Sequence, residues 1–149
     1  MNARLDGEVG AMRVLLADGR PKVRSALKLL LEQDGGMTVS AEAARVNELL
    51  EQASISCPDA ILLDCDLPGL SVSEILPQLR SLCPRVLVVA LCSRPEMQPA
   101  ALSAGVDAFV GKTESPEKLL AALRDCFATV RTGNGDAVCH ADRDSQTGS

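Results

Sequence analysis

Five short aliphatic runs alternate along the chain with segments whose apolar residues recur at helical spacing. In residues 21–33, for example, Val23, Leu27, Leu30 and Leu31 fall on one face of a predicted helix. Chains that alternate strands and helices in this way form parallel sheets with right-handed crossovers and helices on both faces. The alternation therefore predicts an α/β fold, a doubly wound five-stranded parallel sheet in a single domain.

The predicted strands cover residues 12–17, 37–40, 60–63, 86–91 and 106–110, with the apolar 60–63 run at the centre of the sheet. Two helices are predicted over residues 21–33 and 44–53. A third is predicted to begin near Ser71 or Ser73, a fourth to follow Ser93, and a fifth to begin near Pro116. Capping-box spacing pairs Ser71 with Glu74 and Ser93 with Glu96. Pro77 is expected to kink the third helix or mark a later start, and Pro95 and Pro99 to make the fourth helix short or irregular.

The two ends of the chain differ in composition from its middle. From residue 132 onward, Gly, Asp, Asn, Ser and Thr dominate and few apolar residues are available for a core. We therefore expect a domain over residues 12–130, a flexible N-terminal extension over 1–11 and a flexible C-terminal tail over 131–149.

Composition excludes several classes of protein. The net charge is −5, and Phe109 and Phe127 are the only aromatic residues, so both a basic surface and aromatic stacking platforms for nucleic acid are missing. The longest apolar run, residues 86–92, is far shorter than the ~20 residues of a membrane-spanning helix. No secretory signal is recognisable at the N-terminus. We expect a cytoplasmic protein without direct nucleic-acid or membrane contacts.

The six cysteines contain no CxxC pair, and the single histidine is His140. In a reducing compartment this pattern favours small buried apolar residues over disulfides or zinc ligands. Cys65 and Cys92 are expected near the same edge of the sheet, where a redox-sensitive thiol is the alternative interpretation.

Charged residues follow three of the predicted strands directly. Asp18 follows the first strand, Asp64 and Asp66 follow the third, and Lys112 follows the fifth. In an open parallel sheet the ligand site lies outside the carboxyl ends of the strands, so these side chains are expected to converge. Carboxylates in such a position suit a hard cation such as Mg²⁺, and a lysine beside them suits a phosphoryl group.

Between residues 12 and 126 the sequence resembles the receiver domain of bacterial two-component response regulators. The resemblance is carried by the segments VLLADGRPKVRSALKLLLE, PDAILLDCDLPG and ALSAGVDAFVGK. It implies the flavodoxin-like sheet order 2-1-3-4-5 and a phosphoryl group accepted on Asp64 from a histidine kinase or phosphotransfer protein. It also implies that Asp18, Asp64 and Asp66, the last through its backbone carbonyl, hold Mg²⁺ and that Lys112 contacts the phosphoryl oxygens. Phe109 occupies the aromatic switch position.

Four residues depart from the pattern of that family, Gly19 and Ala90 strongly and Val72 and Thr113 more mildly. Gly19 stands where the family has a second acidic residue, which predicts weaker Mg²⁺ binding unless the carboxylate of Asp66 substitutes. Ala90 stands at the switch position where a Ser or Thr hydroxyl would bond the phosphoryl group. Its methyl group cannot form that bond, so the coupling between phosphorylation and Phe109 is expected to be weak.

Three functions are compatible with these residues. The first is a signalling module, not an enzyme, that is phosphorylated on Asp64 and contacts a downstream effector protein through its fourth helix, fifth strand and fifth helix. The second is a pseudo-receiver that docks without phosphorylation, and Gly19 and Ala90 favour it. The third is a phosphatase using Asp64 and Asp66 as a DxD motif. A homodimer is compatible with the first two functions, and without a helix-turn-helix any transcriptional effect is expected to act through another protein.

Overall fold

The structure, a computed structural model, describes residues 12–131 and the side chains of residues 12–128. The expected N-terminal extension over 1–11 and the expected tail beyond residue 131 lie outside the described residues. Among residues 12–131 no helix combines the length and the apolar character that a membrane crossing requires.

Five parallel strands form one sheet in the order β2-β1-β3-β4-β5. This confirms the predicted fold class and strand order. The strands are β1 (Met12–Ala17), β2 (Met37–Ala43), β3 (Ala60–Asp64), β4 (Leu87–Cys92) and β5 (Ala108–Gly111).

The helices cover both faces of this sheet. They are α1 (Pro21–Gln33), α2 (Val46–Ser56), α3 (Val72–Leu82), α4 (Gln98–Ala104) and α5 (Pro116–Arg131), with a 3-10 turn at Pro95–Met97 before α4. The short α4 and its irregular start agree with the two prolines in that segment.

Strand β2 is longer than predicted, and β4 and β5 begin later. In β2 the pairing with β1 shifts register between Val14 and Leu15 and then continues to Ala43. Val86 and Val106 are buried although both lie outside the strands, and the amide of Val106 donates to the carbonyl of Ala101 in α4. An apolar run indicates which residues are buried, and here burial extends upstream of the first paired residue. The predicted strands β4 and β5 therefore began too early.

Both predicted capping boxes are wrong. Ser71 precedes α3 at the N-cap position but makes no side-chain capping bond, and its hydroxyl lies 3.4 Å from that of Ser73. The hydroxyl of Ser93 instead donates to Asp66 in another loop. Helix α3 also continues through Pro77 without interruption.

Alternate residues of the central strands supply two separate cores. Leu15, Leu63 and Val88 face the core beneath α2, α3 and α4, whereas Leu16 and Leu62 face the core beneath α1 and α5. All five residues of β3 are buried, as expected for the central strand of a parallel sheet. Because the strands are parallel, the carboxyl ends of β1, β3 and β5 lie at the same edge of the sheet, with β4 between β3 and β5.

Candidate functional site

Three predicted site residues meet at the carboxyl edge of the sheet. Asp18 follows β1 and Asp64 ends β3, and they are only 2% and 3% exposed. The ammonium of Lys112, from the segment after β5, lies 2.6 Å from Oδ1 of Asp64 and 4.0 Å from Oδ2 of Asp18. Two buried carboxylates thus share one lysine, which offsets part of the cost of burying them.

The two oxygens of the Asp64 carboxylate differ in their contacts. Oδ1 accepts the Lys112 ammonium and the backbone amide of Asp66, the latter at 2.9 Å. Within residues 12–131, Oδ2 of Asp64 accepts no hydrogen bond.

Arg20 is a second cation of the site that sequence reasoning missed. Its backbone amide donates to Oδ1 of Asp18 at 2.8 Å, and its guanidinium donates to Oδ1 at 3.3 Å and Oδ2 at 3.4 Å. The hydrogen bond and charge of Asp18 raise the pKa of Arg20, with a smaller contribution from Asp64. A basic residue two positions after a strand-end aspartate was the available signal.

Asp66 lies at the rim of the site. Its side chain is 46% exposed, and its carboxylate accepts the Ser93 hydroxyl at 3.2 Å and lies 3.5 Å from the Arg94 guanidinium. No cluster of three or more His, Cys, Asp or Glu side chains suited to a metal ion occurs in the part of the chain that the structure describes.

The two predicted switch residues are neighbours in the sheet. Ala90 in β4 pairs with Phe109 in β5. Ala90 is fully buried, whereas Phe109 is partly buried and packs against the core beneath α2, α3 and α4. The alanine methyl therefore lies next to the strand that carries the aromatic ring.

Two of the cysteines form a disulfide, which corrects the prediction that all six are small buried apolar residues. The bond joins Cys65 and Cys92 with their Cα atoms 5.1 Å apart. It forms because Asp64 pairs with Leu91 in the β3–β4 register, so the next residue along each of the two segments, Cys65 and Cys92, lies beside the other. The signal in the sequence was that each cysteine lies at the carboxyl end of an apolar run.

The remaining cysteines behave differently. Cys57 is exposed, contrary to the prediction, and accepts a hydrogen bond from the buried Cys83 thiol at 3.4 Å, without a disulfide, at the amino end of the sheet. Cys126 is buried in the core beneath α1 and α5, as predicted, and Cys139 lies outside the described residues.

Comparison with known proteins identifies the family. Residues 14–124 match the family profile described as the response regulator receiver domain. This match covers most of the chain. The chain belongs to the response regulator receiver domain family.

Known relatives of this receiver domain are longer proteins. The nitrate/nitrite response regulator NarL of Escherichia coli is 36% identical over 117 residues, which are 77% of this chain and 54% of that protein. A putative transcriptional regulator of Pseudomonas aeruginosa is 35% identical over 78% of this chain and 56% of its own length. The receiver domain thus spans about half the length of these relatives.

Solved structures share the same architecture. The signal receiver domain of the putative response regulator NarL from Mycobacterium tuberculosis superposes with a TM-score of 0.71 and 26% identity. The superposition covers 78% of this chain and 95% of the Mycobacterium tuberculosis receiver domain. A LuxR-family two-component response regulator from Aurantimonas gives a TM-score of 0.74 at 27% identity, with 79% of this chain and 86% of that one covered.

Proposed function

We propose that this receiver domain accepts a phosphoryl group on Asp64 and signals through protein contacts in the cytoplasm. The donor is a histidine kinase or phosphotransfer protein, and the recipient of the signal is a downstream effector protein or a second copy of the chain. The observation that carries the proposal is the buried Asp64 carboxylate held 2.6 Å from the Lys112 ammonium with Asp18 beside it.

The contacts of Asp64 fit a role as a nucleophile. Oδ2 attacks the phosphorus atom, the bond from phosphorus to the donor's histidine nitrogen breaks, and that nitrogen keeps the electron pair and takes a proton. The product is an acyl phosphate, which carries more negative charge than the carboxylate it replaces. Lys112 and Arg20 are the cations that stabilise this added charge at the site.

The carboxylates present fit one Mg²⁺ ion, weakly bound. Asp18 and Asp64 would hold it, with the backbone carbonyl of Asp66 as the third protein ligand and water completing the shell. Bound Mg²⁺ supplies positive charge to the phosphoryl oxygens. Arg20 and Lys112 already balance the charges of Asp18 and Asp64, so the attraction for a further cation is reduced.

Phosphorylation by a small donor tests the proposal. The purified chain is incubated with acetyl phosphate and Mg²⁺, and the intact mass is recorded. We expect a gain of one phosphoryl group that Asp64→Asn abolishes. Glu51→Gln, which neutralises one exposed carboxylate on α2, should keep the gain.

Two results would contradict the proposal. A chain that gains no mass from acetyl phosphate or from a histidine-phosphorylated donor is a docking module only. Steady release of inorganic phosphate from several phosphate esters would instead indicate a phosphatase.

A further inference from the structure

The Cys65–Cys92 disulfide lies against the phosphoacceptor. Cys65 directly follows Asp64, and Cys92 is the last residue of β4. The Cys65 amide donates to the carbonyl of Leu91 at 2.9 Å, and the Lys112 amide donates to the carbonyl of Cys92 at 2.8 Å. The bond therefore links the backbone that presents Asp64 to the backbone that supports Lys112.

The same bond joins two segments that leave the sheet separately. The segment after β3 carries Asp66, and the segment after β4 carries Ser93 and Arg94, which contact the Asp66 carboxylate. Those contacts are exposed and polar, so they restrain the two segments weakly. The covalent bond is the strong connection between them.

We propose that Cys65 and Cys92 form a reversible dithiol–disulfide site that restrains the segment after β4 beside Asp64. Reduction releases this segment, and oxidation ties it to the segment after β3. The effect on phosphoryl transfer rests on the proposed function, whereas the redox site and its restraint do not.

The chemistry is thiol–disulfide exchange with a small thiol or dithiol such as glutathione or dithiothreitol. Cys65 is partly exposed and Cys92 is only 1% exposed, so the incoming thiolate attacks Sγ of Cys65. The sulfur–sulfur bond breaks, and Cys92 leaves as a thiolate that takes a proton. A second thiolate then attacks the reductant's sulfur in the mixed disulfide, and the bond to Cys65 breaks. Cys65 leaves as a thiolate that takes a proton, and the oxidised reductant departs as a disulfide. With glutathione disulfide as oxidant, the same steps run in reverse.

The Cys57–Cys83 pair provides an internal comparison. Burial and the hydrogen bond with Cys57 raise the pKa of the Cys83 thiol to about 11, so little of it is thiolate at neutral pH. This pair lies at the opposite end of the sheet, after α2 and α3. Cys83 is therefore expected to react slowly with glutathione disulfide.

Thiol counting tests the redox site directly. The full chain is equilibrated with glutathione buffers of increasing oxidation, denatured in an alkylating agent, and analysed by intact mass. We expect two adducts to be lost together on oxidation and regained with dithiothreitol. Cys65→Ser, at the partly exposed position, should abolish this paired loss, and Cys57→Ser should keep it. Full alkylation at every glutathione ratio would overturn the proposal.

Hydrogen exchange tests the restraint. Amides of Ser93, Arg94, Glu96 and Met97 should exchange more slowly in the oxidised chain than in the reduced chain, and the difference should vanish in Cys65→Ser. Circular dichroism checks that this variant folds, with Cys92→Ala as a second variant. Equal exchange in both redox states would overturn the restraint.

Phosphorylation by acetyl phosphate then tests the coupling. We expect the oxidised chain to be phosphorylated about fivefold more slowly than the reduced one, because the tied segment adjusts less readily to a phosphoryl group. Equal rates would overturn the coupling. Absence of phosphorylation in both forms would contradict the proposed function, and the redox site would then stand on alkylation and exchange alone.

Discussion

At the scale of single residues, the site is a balance of two carboxylates and two cations. Arg20 pairs with Asp18, and Lys112 pairs with Asp64, inside an edge where both carboxylates are almost fully buried. Gly19 removes one acidic group from this set. We therefore expect the proposed Mg²⁺ site to bind its ion more weakly than a site with three carboxylates.

Restoring the acidic residue should strengthen Mg²⁺ binding. A Cβ atom at Gly19 would lie 3.4 Å from the carbonyl oxygen of Ala44 and 3.4 Å from Cδ of Pro68, both ordinary contacts. We expect Gly19→Asp to raise Mg²⁺ affinity about tenfold, or ~1.4 kcal/mol, in titration calorimetry. Gly19→Asn has the same shape without the charge, and an equal rise in that variant would refute the electrostatic explanation.

Restoring the switch hydroxyl should strengthen the response to phosphorylation. Ala90→Thr places a donor at the β4 position that neighbours Phe109, at a packing cost of about 1–3 kcal/mol because Ala90 is fully buried. We expect acetyl phosphate to shift the NMR signals of the Phe109 ring further in this variant. Ala90→Val is the matched control, since it adds the same volume without the hydroxyl. An unchanged shift in Ala90→Thr would show that the hydroxyl is not the limiting defect.

At the scale of elements, helix α3 contains a local conflict between sequence and fold. Pro77 is its sixth residue, where the proline has no amide to donate to the carbonyl of Ser73. The helix persists because Ile75, Leu76 and Leu79 are buried in the core. Tertiary packing thus overrides a residue that favours interruption.

Removing that proline should stabilise the protein. We expect Pro77→Ala to raise the free energy of unfolding in urea by about 1–3 kcal/mol, because an intrahelical bond is restored at an exposed position. Pro99→Ala is the control, since Pro99 lies in the first turn of α4, where a missing amide costs little. A larger gain in the control than in Pro77→Ala would contradict this account.

The elements show which features a sequence alone can predict. Apolar patterns predicted every helix and strand among residues 12–131, because burial imposes helical spacing on the helices and a continuous apolar run on a strand buried on both faces, such as β3. The failure of both capping boxes could not be predicted, because the Ser93 hydroxyl donates to Asp66, 27 residues away, and the Ser71 hydroxyl lies beside that of Ser73. Arg20 was missed because its position on Asp18 depends on the turn between β1 and α1.

At the scale of the whole molecule, the parallel register decides what meets at the site. It brings Lys112 to Asp64 across 48 residues of sequence, and it brings Cys65 to Cys92 across 27. The position of these residues at the carboxyl ends of parallel strands predicted that Lys112 and Asp64 converge. It did not predict the Cys65–Cys92 bond, because that bond depends on an alignment of β3 with β4 that apolar patterns do not fix.

The free energy of unfolding should fall at alkaline pH because of Cys83. The folded protein holds this thiol proton up to pH about 11, whereas the unfolded chain loses it near the ordinary value of 9.0. The unfolded state therefore binds fewer protons between these values, and the free energy of unfolding should fall by about 2 kcal/mol as pH rises from 9 to 11. Below pH 9 the contribution is fully present. Urea unfolding of Cys83→Ala should lack this decline, and an equal slope in both proteins would contradict the assignment.

The identity of the reacting atom is the central claim, and a crystal structure of the chain with Mg²⁺ and beryllium fluoride, a phosphoryl mimic, tests it most directly. We predict beryllium bonded to Oδ2 of Asp64, with the Lys112 ammonium within hydrogen-bond distance of a fluorine atom. Beryllium on another carboxylate, or an unmodified Asp64 at saturating reagent, would contradict the account.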